Sequence, residues 1–151
     1  MGIMDRVKWN WDKTAVVVGL LEKWRPRNCK TEKDYENSLY LFLHKELEDR
    51  QITKQPGQGR YHADIAIDDK ILIEIKYDLN TTAKYTRLVG QVVEYKDWKG
   101  QVIILLTGET DPNFKKQLLA RLEKEGLRGA FNPADPFGLT SGDKVIVVEK
   151  P

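Results

Sequence analysis

The chain has 151 residues, inside the ~100 to 200 of a usual single domain, and its 40% apolar, 9% aromatic and 32% charged residues are globular values. Its longest apolar run, Ala15 to Leu21, falls far short of the ~20 residues a membrane span needs, and the N-terminus with Asp5, Arg6 and Lys8 has no secretory signal pattern, so a soluble, cytoplasmic protein is expected. One cysteine, Cys29, and two histidines exclude an internal disulfide and a zinc cluster of the usual spacing, and a net charge of +2 announces no nucleic-acid partner from the chain as a whole.

The first segment, Lys13 to Trp24, reads as a short helix that stops before Arg25-Pro26, because the residue ahead of a proline is steered out of helical geometry. Thr31-Glu32-Lys33-Asp34 resembles a capping box. It opens a second helix running to about Asp49, with Tyr35, Leu39, Phe42, Leu43 and Leu47 at helical spacing. Gln51 to Gln55 reads as an edge strand and Pro56-Gly57-Gln58-Gly59 as a loop. His62 to Ile67 and Ile71 to Tyr77 alternate as strands. Thr81 to Trp98 is expected as a third helix, Gln101 to Leu106 as a buried strand, and Asn113 to Glu125 as a fourth helix stopped by Gly126. Gly129 to Gly142, rich in Gly, Pro and Asp, reads as loop, and Lys144 to Glu149 as a last strand.

Charge is unevenly spread. Residues 1–33 hold eight Lys/Arg against four acids, and Arg50, Lys54 and Arg60 follow with no acid between Asp49 and Asp64, a local basic surface suited to phosphate. Lys54 and Arg60 flank the glycine loop and are candidate phosphate contacts. His44 and His62 are read first as packing or surface residues, as is Cys29. Trp9, Trp11, Trp24 and Trp98 are read as core or interface.

The chemistry concentrates in the hairpin. Period two places Ile65 and Ile67 on one strand face and Ile71, Ile73 and Ile75 on one face of the next. Pairing these faces fixes the register, since a slip of one residue would send half of the isoleucines into water. Matching requires an odd connection, so a three-residue loop, Asp68-Asp69-Lys70, is expected, with Asp64 opposite Glu74. The other face then gathers Asp64, Ala66, Leu72, Glu74 and Lys76. Two facing carboxylates repel unless a cation lies between them, and a hard divalent ion resolves that repulsion. Lys76 beside it could orient a water or offset charge on a phosphate. The alternative is that this is the solvated face of an ordinary amphipathic hairpin.

His62-Ala63-Asp64, then Glu74-Ile75-Lys76, with Glu36 on the preceding helix, resemble the signature of the PD-(D/E)XK phosphodiesterase superfamily. Ala63 stands where the nominal motif has proline, which provides no ligand. The resemblance spans roughly residues 31–107 in the order αβββαβ. It implies an α/β, restriction endonuclease-like core, a mixed sheet flanked by helices. Residues 1–30 are then a helical extension and residues 108–151 a C-terminal helix and strand of the same domain. It implies a Mg²⁺-dependent deoxyribonuclease, Mn²⁺ substituting, with Asp64, Glu74 and the Ile75 carbonyl as metal ligands. Lys76 would position the water, and Glu36 would complete the acidic cluster. Glu36 also falls on the inward stripe of its helix, where an ionised carboxylate needs a cation, a polar network or a cleft; a rim position paired with Lys33 or Lys54 is the alternative. Gln91 and Tyr95, one turn apart, resemble the extra motif of the RecB-type exonuclease branch. There the glutamine acts at the active site and the tyrosine supports it or the nucleic acid. Lys84, Tyr85 and Arg87 at the start of that helix are expected to contact phosphates. DNA is the expected partner, cut by a resolvase-type or restriction-type endonuclease or a RecB-like exonuclease. A homodimer through the apolar first helix (Val16, Val17, Leu20, Leu21, Trp24) is a further expectation, against core packing of that helix. The competing class is a non-catalytic nucleic-acid-binding or protein-interaction module on the same fold.

Overall fold

Strands that are apolar on both faces need cover on both faces. The computed structural model of the protein describes residues 3–54, 63–129, 134 and 143–151, with side chains from Lys13 onward. In chain order the elements are α1 (Ile3–Lys23), α2 (Glu32–Glu46), β1 (Ile52–Lys54), β2 (Ile65–Ile67), β3 (Ile71–Tyr77), α3 (Thr82–Glu94), a 3₁₀ turn (Tyr95–Asp97), β4 (Gln101–Thr107), α4 (Pro112–Lys124) and β5 (Val145–Lys150). The strands form one five-stranded mixed sheet in the order β1-β2-β3-β4-β5. The β1–β2 and β2–β3 pairs are antiparallel, and the β3–β4 and β4–β5 pairs are parallel. The protein is therefore α/β, a mixed sheet flanked by helices.

Two apolar layers sandwich the sheet. Ile65, Ile67, Ile71, Ile73 and Ile75 pack with Val17, Leu21 and Trp24 of the first helical segment and with Leu39 and Leu43 of α2. Ala66, Leu72, Val102, Ile104 and Leu106 pack on the opposite side with Leu88, Val92 and Tyr95, and with Leu118 and Leu122 of α4. Of the residues expected at a dimer interface, Val17, Leu21 and Trp24 thus belong to the chain's own core, and Val16 and Leu20 pack against it partly buried. The expected face of the hairpin is found, and so is the three-residue connection: Ile65 pairs with Ile73 and Ile67 with Ile71. Asp68 and Asp69 take left-handed backbone, φ 52° and 51°, which Asp tolerates better than most residues.

Several boundaries move. α1 begins ten residues before the expected Lys13, at Ile3, because no proline interrupts that stretch. α2 stops at Glu46 rather than Asp49, since Leu47 leaves helical geometry at φ −120°, ψ 57°. β2 starts at Ile65 rather than His62, and the third helix tightens into a 3₁₀ turn at Tyr95. The capping box is present: the Asp34 N–H donates to Thr31 Oγ1 at 3.1 Å and Asp34 Oδ2 accepts from the Thr31 N–H at 3.2 Å. Pro56, Gly57, Gln58, Gly59, Arg60 and His62 lie outside the described residues, as does most of the Gly129 to Gly142 stretch. Among the described residues no helix is long and apolar enough to cross a membrane.

Candidate active site

Strand alternation sends Leu72, Glu74 and Lys76 to the face that α3 covers. Glu74 and Lys76 are only 2% and 8% exposed, so the solvated-hairpin alternative does not describe this face. The reason is α3 with the 3₁₀ turn that continues it: Leu88, Gln91 and Val92, then Tyr95, recur at helical spacing and lie over it. Gln91 Nε2 donates to Glu74 Oε1 at 3.3 Å and the Tyr95 hydroxyl donates to Glu74 Oε2 at 3.1 Å. Lys76 Nζ lies 3.0 Å from Glu74 Oε1. The carboxylate of Glu74 is therefore held from three directions.

Asp64 is not a ladder partner of Glu74 as expected. It sits just beyond the first residue of β2, its N–H donating to the Ile73 carbonyl at 3.1 Å, and its Oδ2 accepts the Ile75 N–H at 2.7 Å. The side chain caps a strand N–H that lies past the end of the antiparallel ladder. Within a strand the N–H and C=O of one residue face the same edge, so the Ile75 carbonyl turns to the side on which Asp64 lies.

Burial, followed by the neighbouring Glu74 charge, pushes the Asp64 carboxyl up to about 8, against the opposing pull of the Ile75 N–H. Burial likewise raises Glu74, although Lys76 and Tyr95 pull it back. The Tyr95 hydroxyl is driven upward by burial and by the Glu74 charge, so it stays protonated as a donor. Glu32 and Glu36 add negative charge at Asp64. Two neighbouring carboxyls that resist ionisation define a place where a cation would be held. The donors on offer are two carboxylates and a backbone carbonyl, all oxygen, the chemistry of a hard divalent ion. Among the described residues no three His, Cys, Asp or Glu side chains are grouped to hold a metal by themselves.

Glu36 is 4% exposed on the inward stripe of α2, and Lys33 Nζ lies 3.6 Å from its Oε1, so burial and pairing with Lys33 hold together. One turn earlier, Glu32 Oε1 accepts the Tyr77 N–H at 3.1 Å, fastening α2 to the end of β3. Glu32 was not singled out from the sequence; its i, i+4 relation to Glu36 was the available signal. It borders a cleft of about 280 Å³ together with Lys30, Lys76, Tyr77, Lys84 and Arg87.

The expected nucleic-acid contacts divide. Lys84 and Arg87 reach the cleft. Tyr95 does not face any ligand, being 0% exposed and committed to Glu74, and so supports the carboxylate instead. Tyr85 is on the other flank of α3, stacked on Phe114 at 5.3 Å between ring centroids, which takes its ring away from the cleft. Lys54 is exposed at the sheet edge, its Nζ 3.1 Å from Asn37 Oδ1 and 5.1 Å above the Tyr40 ring. Arg60 and His62 are outside the described residues. His44 lies 5.7 Å from the Tyr40 ring, Cys29 is half-buried, Trp24 is core with its Nε1 3.1 Å from Ser38 Oγ, and Trp98 packs at the edge of the second layer.

No family model, curated protein or solved structure matches the chain.

Proposed function

We propose that the protein is a Mg²⁺-dependent nuclease of the PD-(D/E)XK superfamily, built on a restriction endonuclease-like core and hydrolysing phosphodiester bonds in DNA. The observation that carries this reading is the gathering of Asp64 and Lys76 about Glu74, with both carboxyls raised and the lysine ammonium 3.0 Å from one of them. Buried ionisable groups with strongly shifted titration beside a cleft are a physical mark of a functional site.

The Asp64 and Glu74 carboxylates and the Ile75 carbonyl would hold Mg²⁺, or Mn²⁺ in its place, and the bound ion would supply charge against that growing on the phosphate. Lys76 orients the attacking water and offsets negative charge on the nearest phosphate oxygen. Gln91 and Tyr95 fix the rotamer of Glu74, so that its oxygens are aimed before substrate arrives. Glu36 deepens the negative potential at Asp64, and Lys84 and Arg87 receive the flanking phosphates.

Purified protein incubated with linear duplex, circular single-stranded and four-way junction DNA should cut at least one of them with Mg²⁺ and none with chelator. Asp64→Ala and Glu74→Ala should abolish cleavage and weaken metal affinity. Lys76→Ala should lose about 10²- to 10³-fold in rate while binding metal as before. Cleavage by Lys76→Ala at the original rate overturns the mechanism.

One observation favours the second reading, a non-catalytic module that binds nucleic acid or a protein. Glu74 is already satisfied by Lys76, Gln91 and Tyr95, and a cluster closed on itself requires no ion. That reading calls for no cleavage of any DNA or RNA form with Mg²⁺ or Mn²⁺, and no heat on titrating either ion.

A further inference from the structure

The cleft beside Lys76 has a chemistry that metal-assisted hydrolysis alone does not require. Three separate parts of the chain supply its cations: Lys30 ahead of α2, Lys76 at the end of β3, and Lys84 and Arg87 on the first turns of α3. Lys76 is paired with Glu74 at 3.0 Å, and against the other three stands one lining carboxylate, Glu32, whose Oε1 already accepts the Tyr77 N–H. Lys84 is held in place by its donations to the carbonyls of Asp78, at 3.0 Å, and Tyr77, at 3.4 Å, which leaves one of the three ammonium N–H groups for a ligand. Among the described residues neither Lys30 nor Arg87 is in a salt bridge.

The rest of the wall is Thr31 and an apolar part. Tyr77 and Leu79 contribute the apolar part, and the Tyr77 ring is braced by the tilted ring of Tyr35, 5.3 Å away, which in turn meets Trp24 at 6.2 Å. Gly108, at φ 69°, lets the chain pass against the edge of the Tyr77 ring where any Cβ would collide with it. The ring is thus fixed before any ligand arrives. About 280 Å³ lies near the lower bound of small-molecule pockets, about 300 Å³, the scale of one nucleotide and far below that of a duplex.

We infer that the cleft is a subsite for one unpaired nucleotide of the strand being cut, its phosphate received by Lys30, Lys84 and Arg87 and its base by the braced Tyr77 ring. A paired base cannot reach that ring, because its faces are covered by its neighbours in the stack. This deepens the nuclease reading and rests on it for the identity of the strand, but the pocket's own affinity needs no metal. Single strands and frayed ends are therefore the preferred substrates over closed duplex.

Calorimetry in chelator tests the pocket separately from catalysis. Thymidine 5′-monophosphate should bind, and thymidine and inorganic phosphate should each bind at least about tenfold more weakly, since each has only half of the contacts. Arg87→Ala, at an exposed position that does not endanger folding, and Tyr77→Leu should each weaken the monophosphate by about tenfold. Inorganic phosphate binding as tightly as the monophosphate, or an unchanged affinity in Arg87→Ala, overturns the assignment. With Mg²⁺, a single-stranded oligonucleotide should be cut at least about tenfold faster than a duplex closed by hairpins at both ends. Equal rates overturn the subsite and leave the nuclease standing. Arg87-dependent binding of the monophosphate without cleavage of either substrate keeps the subsite and removes the nuclease.

Discussion

From β3, Ile71, Ile73 and Ile75 point into the layer of α1 and α2, while Leu72, Glu74 and Lys76 point into the layer of α3, and both sets are almost inaccessible to solvent. Equal burial has opposite energetic meaning on the two sides. Removing an isoleucine side chain from water stabilises the fold by roughly 1.5 to 3 kcal/mol. A buried ion pair gives back in attraction little more than its desolvation costs. The isoleucine face therefore holds the sheet together, and the charged face adds little to stability.

The contrast can be broken or sharpened by substitution on each side. Ile73→Ala, which empties a fully buried position, should cost about 2 to 5 kcal/mol, read from the midpoint of urea unfolding. A smaller loss would mean that the apolar layer is looser than its burial implies. Next in size is a pH effect. The folded chain keeps a proton on Asp64 up to about pH 8, whereas the unfolded chain releases it near 3.8, so the folded state binds the extra proton across that window. The contribution of Asp64 to the stability of the metal-free protein is then greatest at the acidic end and declines as pH rises toward 8. Asp64→Asn should flatten this decline, and a slope unchanged in that variant would assign it to other groups. Tyr95→Phe removes one charge-assisted donor from Glu74 and should cost about 1.5 to 3 kcal/mol or less, with a lower cleavage rate at unchanged substrate affinity. Smallest of all is the multiple variant Glu74→Met, Lys76→Met, Gln91→Met and Tyr95→Phe, which removes the donors together with their acceptor and is expected within about 1 kcal/mol of the original protein or above it in stability. If it lost as much as Ile73→Ala, the charged face would be structural and the non-catalytic reading would gain.

The reading of the hairpin from sequence succeeded where the signal was local. Period two in Ile65–Ile67 and Ile71–Tyr77 decided the hairpin register and the loop length, and hence that Asp64 would arrive beside Glu74 and Lys76. It overreached at Asp64, because a ladder extended by alternation alone does not say where the ladder ends; β2 starts one residue later and the carboxylate turns to the Ile75 N–H. Tyr95 and Tyr85 show the same limit on a helix. Spacing put both on the third helix, yet Tyr95 lies in the 3₁₀ turn after it, buried and bonded to Glu74, and Tyr85 is turned to Phe114.

By itself the sequence determined which residues share a strand face or a helix stripe, since side-chain direction repeats every two or 3.6 residues and needs no partner to be known. Only the tertiary structure decided that α3 would seal the Glu74 face from water, and that the starts of α2 and α3 would meet at the end of β3. Lys30, Glu32, Lys84 and Arg87 are brought to one cleft by helix packing across the sheet. That packing is a sum of many weak apolar contacts distant in the chain, and no local pattern in these four residues encodes it.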